Sequence, residues 1–497
     1  EDGDSHLDRY RHAKQLGYGV IEADLGESAT VAFGLQQQRN EADGTLWGAL
    51  PLYYSDGTPT RYDRSTSTSA RWTYWDTRDT RAFAELGWRF AGDWQLKASL
   101  NYREDAAEEK LFYIYGTPER DTGLGLLSYP AQFIDYNHEY HTDVHLAGPL
   151  HLGDTEHDLV VGLNGGRRIT REDSAYPTAQ IGLPLPPLED WTGDFPEPAF
   201  PAPVRSADFT ATRTSAYAVV RWHLGDATKL ITGLNHTRIR SEGQSYGAEQ
   251  SYRLTRNSPY VGVVQDVGRQ LSLYASYAGI FNPQVELDAS GAVLDPIEGS
   301  NFEAGIKGEW LDGKLDASAA MFRVEQDNTA EALPFDPTLG GTRYVGVDAT
   351  SRGYELEVSG RPAAGWNLAA GYTHLSIRGE DGQAVRTYVP RSMFRLSTVY
   401  RIPRADGLRI GGYLRWQDAI ERSPPDAVST ITGEPIVIRQ DAYTVVGLMA
   451  GYDFADGWRA TLNLDNVTDR RYIASLYWDQ GYYAAPRSVS LSLDYRF

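Results

Sequence analysis

Apolar and polar residues alternate without interruption through the stretch Val489-Ser-Leu-Ser-Leu-Asp-Tyr-Arg-Phe497. Side chains of an extended strand point alternately to its two faces, so Val489, Leu491, Leu493, Tyr495 and Phe497 share one face. Ser490, Ser492, Asp494 and Arg496 share the other. The same period of two recurs along the chain and predicts about nineteen strands. Their centres lie near Val20, Ala32, Ala84, Ala98, Val144, Val160, Val219, Thr232, Val263, Tyr274, Ala304, Ala319, Leu356, Ala369, Leu396, Gly412, Leu448, Leu462 and Leu491. No helical period falls between them that could cover the apolar faces. The economical expectation is an all-β chain whose antiparallel sheet closes on itself in a bilayer, lipid on the apolar face and water on the polar one.

The connections divide into two kinds. Short Gly/Asp turns are expected at 25–28, 91–94, 153–157, 225–226, 311–314, 362–366, 404–407 and 455–458, where these residues supply positive φ and local hydrogen bonds. Long polar segments are expected at 41–70, 175–208, 283–298, 328–345 and 418–440, and the second is too rich in proline to be ladder strand. Short turns on one side and long loops on the other is the asymmetry of an outer-membrane barrel. Bacterial single-chain barrels use an even number of strands, so an odd count suggests an unseen or absent strand.

Composition changes the picture in three places. Tyr 32 and Trp 12 against Phe 15 favours rings with a polar handle, suited to the interfacial girdles of a membrane barrel. A net charge of -20 argues against nucleic acid as partner, because phosphate binding needs Lys and Arg. Cysteine is absent, which removes disulfides and thiolate metal sites. No run of about eighteen apolar residues would form a membrane helix, and the chain begins at Glu1 without an export signal, expected to be cleaved or upstream.

Several stretches resemble the C-terminal barrel of TonB-dependent siderophore receptors of the ferric-pyoverdine and hydroxamate type. They include Trp47-Gly-Ala-Leu-Pro-Leu-Tyr-Tyr-Ser-Asp-Gly57, Leu271-Ser-Leu-Tyr-Ala-Ser-Tyr277 and Ile280-Phe-Asn-Pro-Gln284. Glu298-Gly-Ser-Asn-Phe-Glu-Ala-Gly-Ile-Lys-Gly-Glu309, Arg352-Gly-Tyr-Glu-Leu-Glu357 and Asn463-Leu-Asp-Asn-Val-Thr-Asp-Arg-Arg-Tyr472 extend the resemblance. It covers nearly the whole chain. It implies a single barrel domain over 1–497 carrying about 19 of an expected 22 strands, with the N-terminal plug, the TonB-contacting box and the first strands missing. It also implies a Gram-negative outer-membrane location, outer-membrane lipid around the barrel, a ferric siderophore as cargo and the TonB complex as partner. Asn466 and Asp469 are expected to bond local backbone where a strand gives way to a loop.

By the same resemblance, aromatic residues near the outer mouth grip the cargo: Trp47, Trp72, Trp75, Tyr113 and Tyr115, from a cluster that also holds Tyr74 and Phe112. An interfacial girdle is the competing role for such rings. Phe281, Asn282 and Gln284 follow a strand and are expected at the loop base, where Asn and Gln could bind cargo or cap the loop. His141, Asp143 and His145 alternate on one strand, with roughly 6–7 Å between side chains, too far apart for a shared metal ion; they read as polar wall. No catalytic constellation or protein-held cofactor is expected, so the chain reads as a receptor rather than an enzyme. A passive substrate-selective channel is the alternative, and an outer-membrane enzyme or adhesin stands behind it.

Overall fold

The computed structural model describes residues 1–333, 342–425, 427–455 and 457–496. Phe497, the expected terminal aromatic, and the middle of the 328–345 loop lie outside them. Among the described residues, nineteen strands of eight residues or more form, and each expected centre falls inside one.

The chain divides into two units. The first holds β1 (Arg11–Leu25), β2 (Ala29–Asp43), β3 (Tyr74–Phe90), β4 (Trp94–Tyr115), β5 (Leu127–Leu152), β6 (Thr155–Ala175), β7 (Val204–His223) and β8 (Thr228–Ser245). Each pairs antiparallel with the next. Residues of β9 (Tyr252–Val267), β10 (Leu271–Asn282), β11 (Ile297–Trp310), β12 (Leu315–Ala332) and β13 (Tyr344–Ala363) are shared between the units. The second unit holds β14 (Trp366–Gly379), β15 (Ser392–Arg401), β16 (Leu408–Gln417), β17 (Tyr443–Ala455), β18 (Trp458–Asp465) and β19 (Ser488–Tyr495). From β13 onward these too are sequential antiparallel neighbours.

The turns form where Gly and Asp allow them. Leu152 pairs with Thr155 across Gly153-Asp154, and Gly153 takes φ 61°. Long connections fill the opposite ends of the strands, and the Pro-rich one carries only two single-turn 3-10 helices, at Thr178–Gln180 and Leu188–Asp190. The strands exceed expectation at these ends. β4, β5 and β6 run 22, 26 and 21 residues, whereas roughly ten tilted residues cross a bilayer. Ladder pairing, once begun, continues into segments expected to be loop, as in β12, which reaches Ala332.

Burial is inverted relative to a water-soluble sheet. Ile21, Phe33, Leu35, Leu100, Val144 and Leu163 stand exposed on one face of the turn-side stretches of their strands. Val489, Leu491 and Leu493 are 67%, 72% and 60% exposed. The buried apolar residues come largely from the connections and the loop-side strand ends: Leu50, Leu52, Leu111, Phe112, Ile114, Leu126, Leu185 and Leu188. Apolar surface costs about 25 cal/mol per Å² in water, so rows of exposed aliphatics on these turn-side stretches suit hydrocarbon as the outer medium.

Candidate functional site

Three connections of the first unit, at 44–73, 116–126 and 176–203, fold onto the loop-side ends of β4 and β5. Short polar side chains hold them. Asp56 accepts from the Thr58 backbone and hydroxyl at 2.8 and 2.6 Å, and the Thr60 hydroxyl donates to the Pro51 carbonyl at 2.6 Å. Two indoles then fasten one loop to another: Trp191 Nε1 donates to the Ser69 carbonyl at 3.0 Å, and Trp72 Nε1 to that of Phe195 at 3.0 Å.

Alternation along β4 sorts the aromatic candidates onto two faces. Phe112 points to one and is fully buried, stacked on Trp191 at 5.6 Å and 7°, with Phe195 at 4.8 Å and the edge of Trp72 at 5.9 Å. Phe200 closes over Trp72 at 5.8 Å. Trp72 therefore staples a loop core. Glu109, Leu111, Tyr113 and Tyr115 point to the opposite face. There Trp47 packs on Tyr113 at 5.9 Å, Tyr129 at 5.8 Å and Phe133 at 5.3 Å. Tyr115 meets Tyr129 at 6.3 Å, and Tyr176 lies 6.0 Å from both Tyr129 and Phe133. The result is a collar of aromatic rings from two loops and two strands.

Below the collar, on the same face, the rows turn acidic. The cross-strand register sets Trp75 beside Glu109 and Glu109 beside Phe133. In the next row Ala107 faces Asp135, and Asp135 faces Glu172. In the third, Asp105 faces Asn137, and Asn137 faces Thr170. Glu109 is 4% exposed. These residues lie toward the loop-side ends of strands twice as long as a bilayer requires, clear of the hydrocarbon. Burial, reinforced by Asp135, Glu172 and Asp105, pushes the Glu109 carboxyl up to about 8. Burial together with Glu172 and Asp105 pushes Asp135 up to about 7. Glu172 is also raised by burial, against the hydroxyl of Tyr246, which donates to it.

The remaining candidates separate. Phe281 lines a cavity of about 520 Å³ with Arg253, Arg256, Asp295, Glu298 and Asn328. Asn282 is exposed. Gln284 is buried and engaged with backbone: its amide nitrogen donates to the Asn328 carbonyl at 2.6 Å and its oxygen accepts from Ala330 N at 3.1 Å. Trp75 is 37% exposed and stands outside the ring contacts of the collar. On β5, Asp143 accepts from Tyr217 at 3.1 Å and pairs with His145 at 2.7 Å, which gives the polar wall that the alternation suggested. The sequence reading passed over Tyr129, Phe133 and Tyr176 in the collar, and Glu109, Asp135 and Glu172 beneath it. Their shared odd parity on β4 and β5 was a usable signal.

Comparison with known proteins defines the class. The family described as TonB dependent receptor-like, beta-barrel matches residues 20–467. The chain belongs to this family. It is 31% identical to the ferripyoverdine receptor of Pseudomonas aeruginosa over 100% of the chain and 61% of that protein. It is 33% identical to the ferric-pyoverdine BN7/BN8 receptor of Pseudomonas putida over 99% of the chain and 60% of that protein. Among solved structures, the pyoverdine outer membrane receptor of Pseudomonas aeruginosa PAO1 bound to pyoverdine superposes with TM-score 0.90 at 30% identity, over 100% of this chain and 73% of that one. The chain thus spans about three fifths of the length of these curated relatives.

Proposed function

We propose that this chain forms the wall and outer mouth of an outer-membrane receptor that binds a ferric siderophore of the pyoverdine class for TonB-coupled import. The observation that carries the reading is end-to-end similarity to ferric-pyoverdine receptors, together with an aromatic collar at the loop-side ends of the strands. Bulky chelates are held by ring faces and a few hydrogen bonds, with the iron kept by the siderophore and not by protein ligands. Trp47, Tyr113 and Tyr115 take this role, with Tyr129 and Phe133 beside them. Trp75, Phe281 and Asn282 stand as outer contacts, whereas Trp72 and Gln284 act through loop structure.

The test is a titration of the full-length receptor with a panel of ferric pyoverdines, followed by growth under iron limitation. Replacing Trp47 and Tyr113 together by Ala removes two ring faces from the cargo, each worth about 0.5–1.5 kcal/mol beyond area burial, and lowers affinity by about tenfold with barrel assembly intact. Unchanged uptake of every siderophore in that double variant refutes the site.

A further inference from the structure

Beneath the aromatic collar lies a group of acceptors of which, among the described residues, only Glu172 receives a side-chain donor, from Tyr246. Glu109 is 4% exposed, yet among the described residues its carboxylate has neither a hydrogen-bond donor nor a cation. One row away Asp135 is equally without a cation, and Glu172 has a tyrosine hydroxyl in place of one. In the following row the Asn137 Oδ1 and Thr170 Oγ1 atoms are buried and unpartnered. The nearest basic groups on this face of the ladder are Arg81, Arg103 and Arg168, one row further, and all three are engaged: Arg81 by Asp79, Arg103 by Asp79 and Asp105, Arg168 by Glu139. Buried acceptors without donors are costly, and buried like charges more so. Three carboxylates on three adjacent strands, with the unpartnered oxygens of Asn137 and Thr170 beside them, form a site complementary to a group rich in donors.

We propose that Glu109, Asp135 and Glu172, with Asn137 and Thr170, form a subsite for a primary ammonium or guanidinium group that enters beneath the collar. Both groups carry several N–H donors and no acceptor. A guanidinium edge matches two carboxylates, and its face stacks on rings such as Phe133 and Trp47 above. The cation comes either from the cargo or from a basic side chain elsewhere in the receptor. The placement of the subsite relative to cargo rests on the siderophore reading; the existence of a cation site does not.

The test uses the full-length receptor in detergent, wild type against Glu109→Gln/Asp135→Asn, with methylguanidinium chloride as probe and sodium chloride at equal ionic strength as control. If the cation comes from cargo, the probe raises the wild-type melting midpoint saturably and leaves the variant unmoved. If a basic side chain of the receptor already fills the subsite, the probe does nothing and the variant melts lower than wild type. A probe without effect, combined with a variant that melts as high as wild type or higher, overturns the proposal. Should the double variant fail to fold, Glu109→Gln alone carries the comparison. Ferric pyoverdine titrated in parallel separates a failure of this subsite from a failure of the siderophore reading.

Discussion

Replacing Asn466 tests whether local hydrogen bonding at the end of β18 holds the following connection. Asn466 is 4% exposed and sits at φ 47°. Its amide nitrogen donates to the carbonyls of Arg470 at 3.0 Å and Ala485 at 3.2 Å, and its oxygen accepts from Arg470 N at 2.8 Å. Asn466→Ala removes all three bonds and places a residue with poor left-handed preference at that φ. At about 1 kcal/mol per net hydrogen bond and 1–2 kcal/mol for the left-handed backbone, the loss is about 3–5 kcal/mol. Asn466→Gly removes the bonds but tolerates the φ, so it is milder by about 1 kcal/mol. Urea unfolding of the barrel in lipid vesicles, followed by tryptophan fluorescence, measures both. An Ala variant within about 0.5 kcal/mol of wild type, inside the ordinary scatter of surface substitutions, refutes the reasoning.

Two further outcomes follow from the first unit. Glu109 is held near 8 when folded, above the ordinary 4.5, so the folded state keeps a proton that the unfolded chain releases; stability is therefore fully present below pH 4.5 and is lost as pH rises toward 8. With the subsite vacant, Glu109→Gln leaves stability at pH 4 unchanged and raises it at pH 9, by about 3–5 kcal/mol at ~1.4 kcal/mol per pK unit; equal unfolding midpoints at both pH values contradict this. The Tyr217 ring covers Gly162 across β6 and β7, where an added Cβ would lie 2.4 Å from the ring. Gly162→Ala consequently costs about 1–3 kcal/mol by overpacking, and a double-mutant cycle with Tyr217→Ala removes most of that cost; additive effects would show that the ring is not the obstacle.

Strand identity was legible because it is local. Alternation at Trp94–Tyr102 or Val489–Tyr495 needs no distant partner to be recognised, and Gly153-Asp154 announces its own turn. The bonding of Asn466 to the nearby Arg470 backbone was legible for the same reason, whereas Asp469 accepts at 2.9 Å from Arg487 N, a partner well along the chain that local reading does not supply. Even the exposed rows of Val489, Leu491 and Leu493 follow from the pattern once no second layer is available to cover them.

The site was legible only in part. Trp47, Trp72 and Tyr113 were visible as aromatic residues in loop-side segments, but their sequence neighbourhood does not say which share a face. Tertiary structure decided that Trp72 serves a loop core with Phe112 and Trp191, while Trp47 crosses to meet Tyr113, Tyr129 and Phe133. It also gathered Glu109, Asp135 and Glu172 from three strands into adjoining rows. Periodicity fixes which way a side chain points along its own strand. Which side chains then stand beside one another depends on cross-strand register and loop packing, which join residues far apart in the chain, such as Ser69 and Trp191.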